Sequence, residues 1–361
     1  MSVPASIRPP QRVLVTGHRG YIGAVLVPML LDRAYDVIGV DSDLYAGCDF
    51  GVPAPDRVPT IATDVRDVGL TDLAGIGAVL HLAALSNDPL GDLDPAVTDE
   101  INRAASVRLA RLAREAGVAR FLFSSSCSNY GAAGDAPVDE DAPLRPLTPY
   151  AASKVAVERE VGQLADSRFS PIFLRNATAY GVSPRLRLDL VVNDLTAWAV
   201  VTGRVRVRSD GTPWRPLVHV EDIARAFVAM LEAPRAAVHG ECFNVGGSAE
   251  NHRVRDLAEM VSRAIPGSRI EYADGAGPDP RSYRVDFAKV ARAVPAFAPR
   301  WTVADGIVQL VGAFQAIGLT RADLEGPRFR RVGRVRQLVA EGALDARLRR
   351  TGVPSGAGGA P

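Results

Sequence analysis

The sequence predicts an α/β protein built on a doubly wound parallel sheet, with a smaller α/β domain after it. Three observations carry this expectation. Short apolar, β-branched runs alternate with amphipathic helical stretches through the first half of the chain; most of these runs stop at a glycine or a polar residue; and the first strand passes into the first helix through three spaced glycines. At 361 residues, 47% hydrophobic and 23% charged, the chain is long enough and apolar enough to bury a sizeable core.

The first strand is Arg12 to Thr16 (RVLVT), which ends at Gly17. From Tyr21 to Arg33, Ile22, Val25, Leu26, Met29 and Leu30 recur at three and four and predict a helix with one buried face. Asp36 to Val40 (DVIGV) is the second strand, ending at Asp41. Val58 to Ala62 follows before Asp64, then Ala78 to Leu82 before Ala83, a helix from Asp99 to Ala116, and a strand from Phe121 to Ser124. A helix from Tyr150 to about Ala165 and a strand at Pro171 to Arg175 complete the alternation. This is the signature of a Rossmann-type domain, placed at residues 11–180, with returning segments near 215–247 that include a buried strand at Phe243 to Val245. Beyond Tyr180 a loop (Gly181 to Arg187), a helix (Leu190 to Thr202) and the alternating strand Arg204 to Arg208 open a second domain, mainly residues 181–320, expected to bind substrate. Residues 321–350 hold nine arginines and predict a basic helical appendage covering the domain or an oligomer edge; the Ser/Gly/Ala/Pro tail 351–361 is expected to be disordered.

The 42 basic and 41 acidic residues cancel, so no overall field favours nucleic acid or an anionic membrane, and a small-molecule ligand is expected. Three scattered cysteines fit neither a disulfide framework nor a metal set, so a cytoplasmic protein without a metal is expected. No apolar run reaches the length of a membrane span, and the first eleven residues do not read as a signal peptide.

Gly17, Gly20 and Gly23 form G-x-x-G-x-x-G at the strand-to-helix switch, where glycines let the backbone approach a pyrophosphate at a helix N-terminus. Asp41, ending the second strand, can accept hydrogen bonds from an adenosine ribose and repel a 2′-phosphate, which favours NAD over NADP. His18 and Arg19 pull the other way, as cations that would hold that phosphate. Asp64 reads either as a cap for the adenine amino group or as a plain turn or helix cap.

Tyr150 and Lys154 lie four apart on one helix face. With 8 tyrosines and only two lysines, Lys154 and Lys289, chance places Y-x-x-x-K about 0.04 times in the chain. The ammonium is expected to lower the pKa of the phenol and make Tyr150 a usable base. Ser124, Ser125 and Ser126 end a strand where an open parallel sheet binds its ligands, although serines also commonly end strands.

Together G-x-x-G-x-x-G (17–23), H-L-A-A (81–84), S-S-S-x-x-x-Y-G (124–131) and Y-x-x-x-K (150–154) resemble the extended short-chain dehydrogenase/reductases, and more narrowly their NAD-dependent nucleotide-sugar epimerases and dehydratases, from about Arg12 to Trp301. The resemblance implies Tyr150 as catalytic base and acid, Lys154 on the nicotinamide ribose and Ser126 aligning a sugar hydroxyl. It implies cofactor contacts from Tyr21, Ile22, Asp64, Val65, Leu82, Ala83 and Ala84 beside the glycines and Asp41. Toward a nucleotide-diphosphate sugar it implies Ser86, Ser128, Asn129, Thr178, Asn193, Arg215 and Arg281, the two arginines on the diphosphate. It also implies a homodimer. The 4,6-dehydratases of this family carry Asp-Glu just after the serine or threonine; here Cys127 and Ser128 stand there, so epimerisation at C4 is the leading expectation. A ketoreductase or dehydrogenase, a 4,6-dehydratase with its acid supplied from elsewhere, and a non-catalytic dinucleotide-binding protein are the alternatives.

Overall fold

Seven parallel strands run across the centre of the molecule in the order Cys242–Val245, Ser170–Asn176, Arg120–Ser126, Ala78–His81, Arg12–Thr16, Asp36–Val40 and Thr60–Ile61. This is a computed structural model, and it describes residues 12–51, 57–275, 277, 279 and 281–351. The termini of the chain, including the expected tail beyond Thr351, lie outside the described residues.

The strand period of two sorts the core. Val13 and Val15 point to one face, where they meet Leu26 and Leu30 of the helix Gly23–Leu31 and Ile223 and Phe227 of the helix Val220–Glu232. Leu14 points to the other face, with Leu109 of the helix Ala105–Glu115 and Val157 of the helix Pro149–Gly162. With both faces covered, the strands must be apolar throughout, which explains their continuous hydrophobic runs. Chain order reverses between Arg12–Thr16 and Ala78–His81, so a crevice opens beyond their carboxyl ends. Thr16 Oγ1 and His81 Nδ1 lie 2.6 Å apart and tie those two strands together.

The expected helix from Asp99 begins with a wide π turn, Asp99–Ala104, before continuing as Ala105–Glu115. The turn places Asn102 so that it accepts from Leu85 N at 2.8 Å and donates to Leu85 O at 3.1 Å, anchoring the loop that carries Ser86 and leads into the short helix Asp88–Gly91.

A third apolar cluster joins Trp198, Val205, Leu257, Ile307, Phe314 and Phe329. Around it lie the parallel pair Arg204–Val207 and Arg269–Tyr272 and a small sheet of Thr178–Tyr180, Trp214–His219 and Asn251–Arg253. The strand Arg204–Val207 buries Val205 and Val207 and exposes both arginines, as its alternation predicts. The arginine-rich C-terminal stretch is only partly helical, at Arg321–Glu325 and Arg331–Ala340, and ends in a turn bridged between Leu344 and Arg350.

Candidate active site

At the crevice, Gly17 takes φ +72°, and a Cβ there would stand 2.9 Å from Ala83 N. A Cβ on Gly23 would stand 2.3 Å from Gly17 O, so the turn closes on itself only with glycine. The helix Gly23–Leu31 starts with no side-chain cap and no acidic residue in its first turn, leaving its positive end open to an anion. The Asp41 carboxylate is pinned beside this turn, accepting from Arg19 N at 3.0 Å and Asp43 N at 2.8 Å. Arg19 is turned to Asp43, at 3.2 Å. These groups line a cavity of about 150 Å³ together with Gly20, Tyr21, Ile22, Val65, Leu82, Ala83 and Ala84. Asp64 borders it as well, but Arg66 takes both of its carboxylate oxygens, at 2.9 and 2.6 Å. Against the effect of burial, that guanidinium holds the Asp64 carboxyl below its usual range, and Asp64 caps the short turn Val65–Asp67. Asp64 thus serves as a turn cap while still bordering the cavity.

Ile22, Leu82, Ala84 and Ser86 also border a second, larger cavity of about 1050 Å³. Its floor carries Ser126, Tyr150 and Lys154. Thr148 caps the helix Pro149–Gly162 by accepting from Ala151 N at 3.2 Å and donates to Asp88 at 2.6 Å, which sets Tyr150 in the first turn. Tyr150 is hydrogen-bonded to Ser126, which in turn accepts from Ser128 Oγ at 2.8 Å. One turn on, Lys154 donates to Ser124 O at 2.8 Å, with its ammonium 4.5 Å from the centre of the Phe123 ring and 5.6 Å from that of Tyr150.

The electrostatics depart from the expected lowering of the phenol. Burial, followed by the charge of Asp88, pushes Tyr150 up to about 12, with the Ser126 bond opposing. Burial pulls Lys154 down to about 7, with Glu158 opposing. In both groups desolvation, which disfavours the charged form, is the largest effect.

Asn129 was expected near the sugar, yet it is fully buried. Its amide donates to Glu158 at 3.0 Å and to Ser125 Oγ at 3.2 Å, behind the serine strand, where Glu158 pairs with Arg175 at 2.7 Å. Asn193, expected on the diphosphate, is also fully buried. It accepts from Gly181 N at 3.0 Å and donates to Arg187 O at 3.0 Å. Both amides are committed to buried polar groups of the protein, and neither lines either of these two cavities. Tyr21 borders the small cavity but commits its hydroxyl to Gly181 O at 2.7 Å. Cys127, at the position of the dehydratase acid, is buried and donates to Arg175 O.

Ser86, Ser128, Thr178, Arg215 and Arg281 do line the large cavity. Arg215 and Arg281 converge on Asp279, at 2.7 and 2.6 Å, and Arg281 reaches across to Asp88 at 2.5 Å. Although burial opposes it, hydrogen bonding to Arg281 and the charge of Arg215 hold the Asp279 carboxyl below its usual range. The lining holds eight arginines against five carboxylates and is therefore net cationic. Sequence reasoning missed Asp88, Asp279 and the Arg187–Asp189 pair, although Asp279 and Asp189 each stand two residues from the arginine they hold. It also missed Arg331, which lies in the arginine-rich stretch and borders both cavities.

Fold and cleft together define a dinucleotide-binding protein whose serine, tyrosine and lysine face a cationic cavity. The chain belongs to the NAD dependent epimerase/dehydratase family, whose profile matches residues 13–246. It is 32% identical over 319 residues to the UDP-glucose 4-epimerase of Mycolicibacterium smegmatis, a match spanning 84% of this chain and 98% of that one. It is 31% identical over 314 residues to the dTDP-glucose 4,6-dehydratase of Streptomyces griseus, spanning 83% and 92%. Among solved structures, MoeE5 in complex with UDP-glucose and NAD superposes with a TM-score of 0.72 at 29% identity, spanning 84% of this chain and 99% of that one.

Proposed function

We propose that the protein is an NAD-dependent enzyme that inverts C4 of a nucleoside-diphosphate sugar through a 4-keto intermediate. The residues fit the cofactor: the glycine turn and the uncapped helix suit its pyrophosphate, the pinned Asp41 suits a ribose, and Lys154 suits the nicotinamide ribose. When bound, NAD supplies the acceptor and later the donor of a hydride. Tyr150, through Ser126, takes the proton of the sugar hydroxyl and returns it to the same oxygen once the keto sugar has presented its other face. Lys154, when protonated, favours the phenolate that this requires. Arg215 and Arg281 receive the diphosphate by exchanging Asp279 and Asp88 for phosphate oxygens.

The observation that carries C4 inversion over elimination is the state of the carboxylates around Tyr150. Positions 127 and 128 offer none, Asp189 and Asp194 are paired with Arg187 and Arg330, which the diphosphate does not take, and Asp88 keeps the bond from Thr148 when Arg281 turns to the phosphate. A 4,6-dehydratase is the second reading, because Asp88 is near enough to Tyr150 for its charge to oppose the phenolate. The reading includes a cofactor domain at residues 11–180 with segments near 215–247, a substrate domain at 181–320, a homodimer and a cytoplasmic location. The free Cys48, Cys127 and Cys242 suit a reducing compartment, and among the described residues no helix is long and apolar enough to cross a membrane.

The test is incubation of purified protein with UDP-, dTDP-, GDP- and CDP-glucose, with the products resolved by NMR. Appearance of the galacto epimer with at least one nucleotide, abolished by Tyr150→Phe, supports the proposal. Loss of water supports the dehydratase instead, and unchanged sugar with all four overturns both readings.

A further inference from the structure

The C-terminal segment brings to the cleft a cation that the sugar chemistry above does not use. Arg331 opens the helix Arg331–Ala340 and sits where the two cavities meet. Its guanidinium stacks 3.6 Å over the Tyr45 ring, and Nη2 donates to Arg185 O at 3.2 Å. Arg331 is 2% exposed, yet its Nη1 is buried with no hydrogen-bond partner. Among the described residues it has no ion-pair partner; the carboxylate of Asp189 is engaged by Arg187, at 3.0 and 2.9 Å. A buried guanidinium N–H left unmet is costly, and an incoming acceptor removes that cost.

The segment is fastened to both halves of the molecule. Arg330 pairs with Asp194 at 2.6 Å, Arg347 with Glu100 at 2.7 Å and Arg349 with Asp67 at 2.5 Å. Leu348, between the last two, borders the small cavity. The strap thus holds Arg331 against the same cavity that the glycine turn and the uncapped helix end line.

Resting on the reading of this cavity as the NAD site, we propose that Arg331 is a phosphate-binding residue of the dinucleotide, its Nη1 donating to the pyrophosphate across the cleft from the glycine turn. The ligand chemistry is a diphosphate, which a sugar nucleotide shares. The Tyr45 stack places the guanidinium on the dinucleotide side, while Arg215 and Arg281 lie in the larger cavity, which Tyr45 does not border.

The experiment measures binding to cofactor-stripped protein for the wild type, Arg331→Met and Arg331→Lys. NAD, ADP-ribose and UDP are titrated by calorimetry, and adenosine is followed by NMR saturation transfer. Loss of one charge-assisted contact predicts NAD and ADP-ribose binding weakened about tenfold to hundredfold in Arg331→Met, partly restored in Arg331→Lys, with adenosine and UDP within twofold of wild type. Unchanged NAD affinity overturns the proposal. So does an equal loss for adenosine, which marks a merely structural strap, and so does a loss confined to UDP, which assigns the arginine to the sugar nucleotide. Should Arg331→Met fail to fold, the Arg331→Lys comparison of NAD with adenosine decides in the same way. A wild type that binds no NAD at all would instead refute the functional reading on which this rests.

Discussion

Replacing Lys154 by methionine is expected to make the cofactor-free protein more stable while destroying its activity. Lys154 is 3% exposed, and its ammonium loses hydration that its bond to Ser124 O and its contact with the Phe123 ring do not restore. Its fall from 10.5 to about 7 corresponds to about 5 kcal/mol, at about 1.4 kcal/mol for each tenfold change in proton affinity. The sign follows from proton counting. Between pH 7 and 10.5 the unfolded chain keeps this proton and the folded chain gives it up, so stability rises with pH across that window and the full penalty applies below it. Methionine keeps the length and removes the charge; losing the hydrogen bond and the cation–π contact returns about 1–3 kcal/mol. The net expectation is a gain of about 2–4 kcal/mol near pH 7. Urea unfolding of both proteins, stripped of cofactor, at pH 6.5 and 8.5 measures it. The gap between variant and wild type should narrow by about 2 kcal/mol over that interval, because about 1.5 pH units of the window have then been crossed at about 1.4 kcal/mol each. A variant less stable than wild type at pH 6.5, or a gap independent of pH, would refute the claim that this lysine is held at the expense of stability.

Glu158 is buried behind the serine strand and accepts from Arg175, Ser125 and Asn129. Glu158→Gln leaves Arg175 buried without its counter-charge and should cost about 3–5 kcal/mol in the same unfolding assay. Arg281→Ala removes one fork of the expected diphosphate site and should raise KM for the sugar nucleotide about tenfold to hundredfold, with kcat changed far less, in steady-state kinetics.

Much of this framework was legible in the sequence, because buried parallel strands need continuous apolar runs and the switch at Gly17 needs residues without a Cβ. Arg12–Thr16 and Asp36–Val40 fall at their expected ends. The Tyr150, Lys154 and Ser126 cluster was legible for a similar reason, since helix periodicity and a strand end fix those side chains locally. What escaped depends on long-range partners. Asn129 and Asn193 read as substrate groups, but their amides serve buried groups and loops that only the folded chain brings to them. Asp88 meets Arg281 across 193 residues, and no local pattern encodes that pair. The direction of the Tyr150 shift escaped as well, because spacing reveals a neighbouring ammonium but not how strongly the cleft walls desolvate both groups.

The most direct test of the central claim follows the carbon-bound hydrogens of the sugar. Converting a nucleoside-diphosphate sugar to its C4 epimer in deuterated water, with mass spectrometry and NMR of both sugars, separates hydride return from proton exchange. The account predicts an inverted C4 that carries the original hydrogen, with no deuterium at C4 or C5. Deuterium at C5, or a product lacking water, would contradict it, because either requires a proton to leave carbon through an acid or base beside the serine strand, where Cys127 and Ser128 offer no carboxylate.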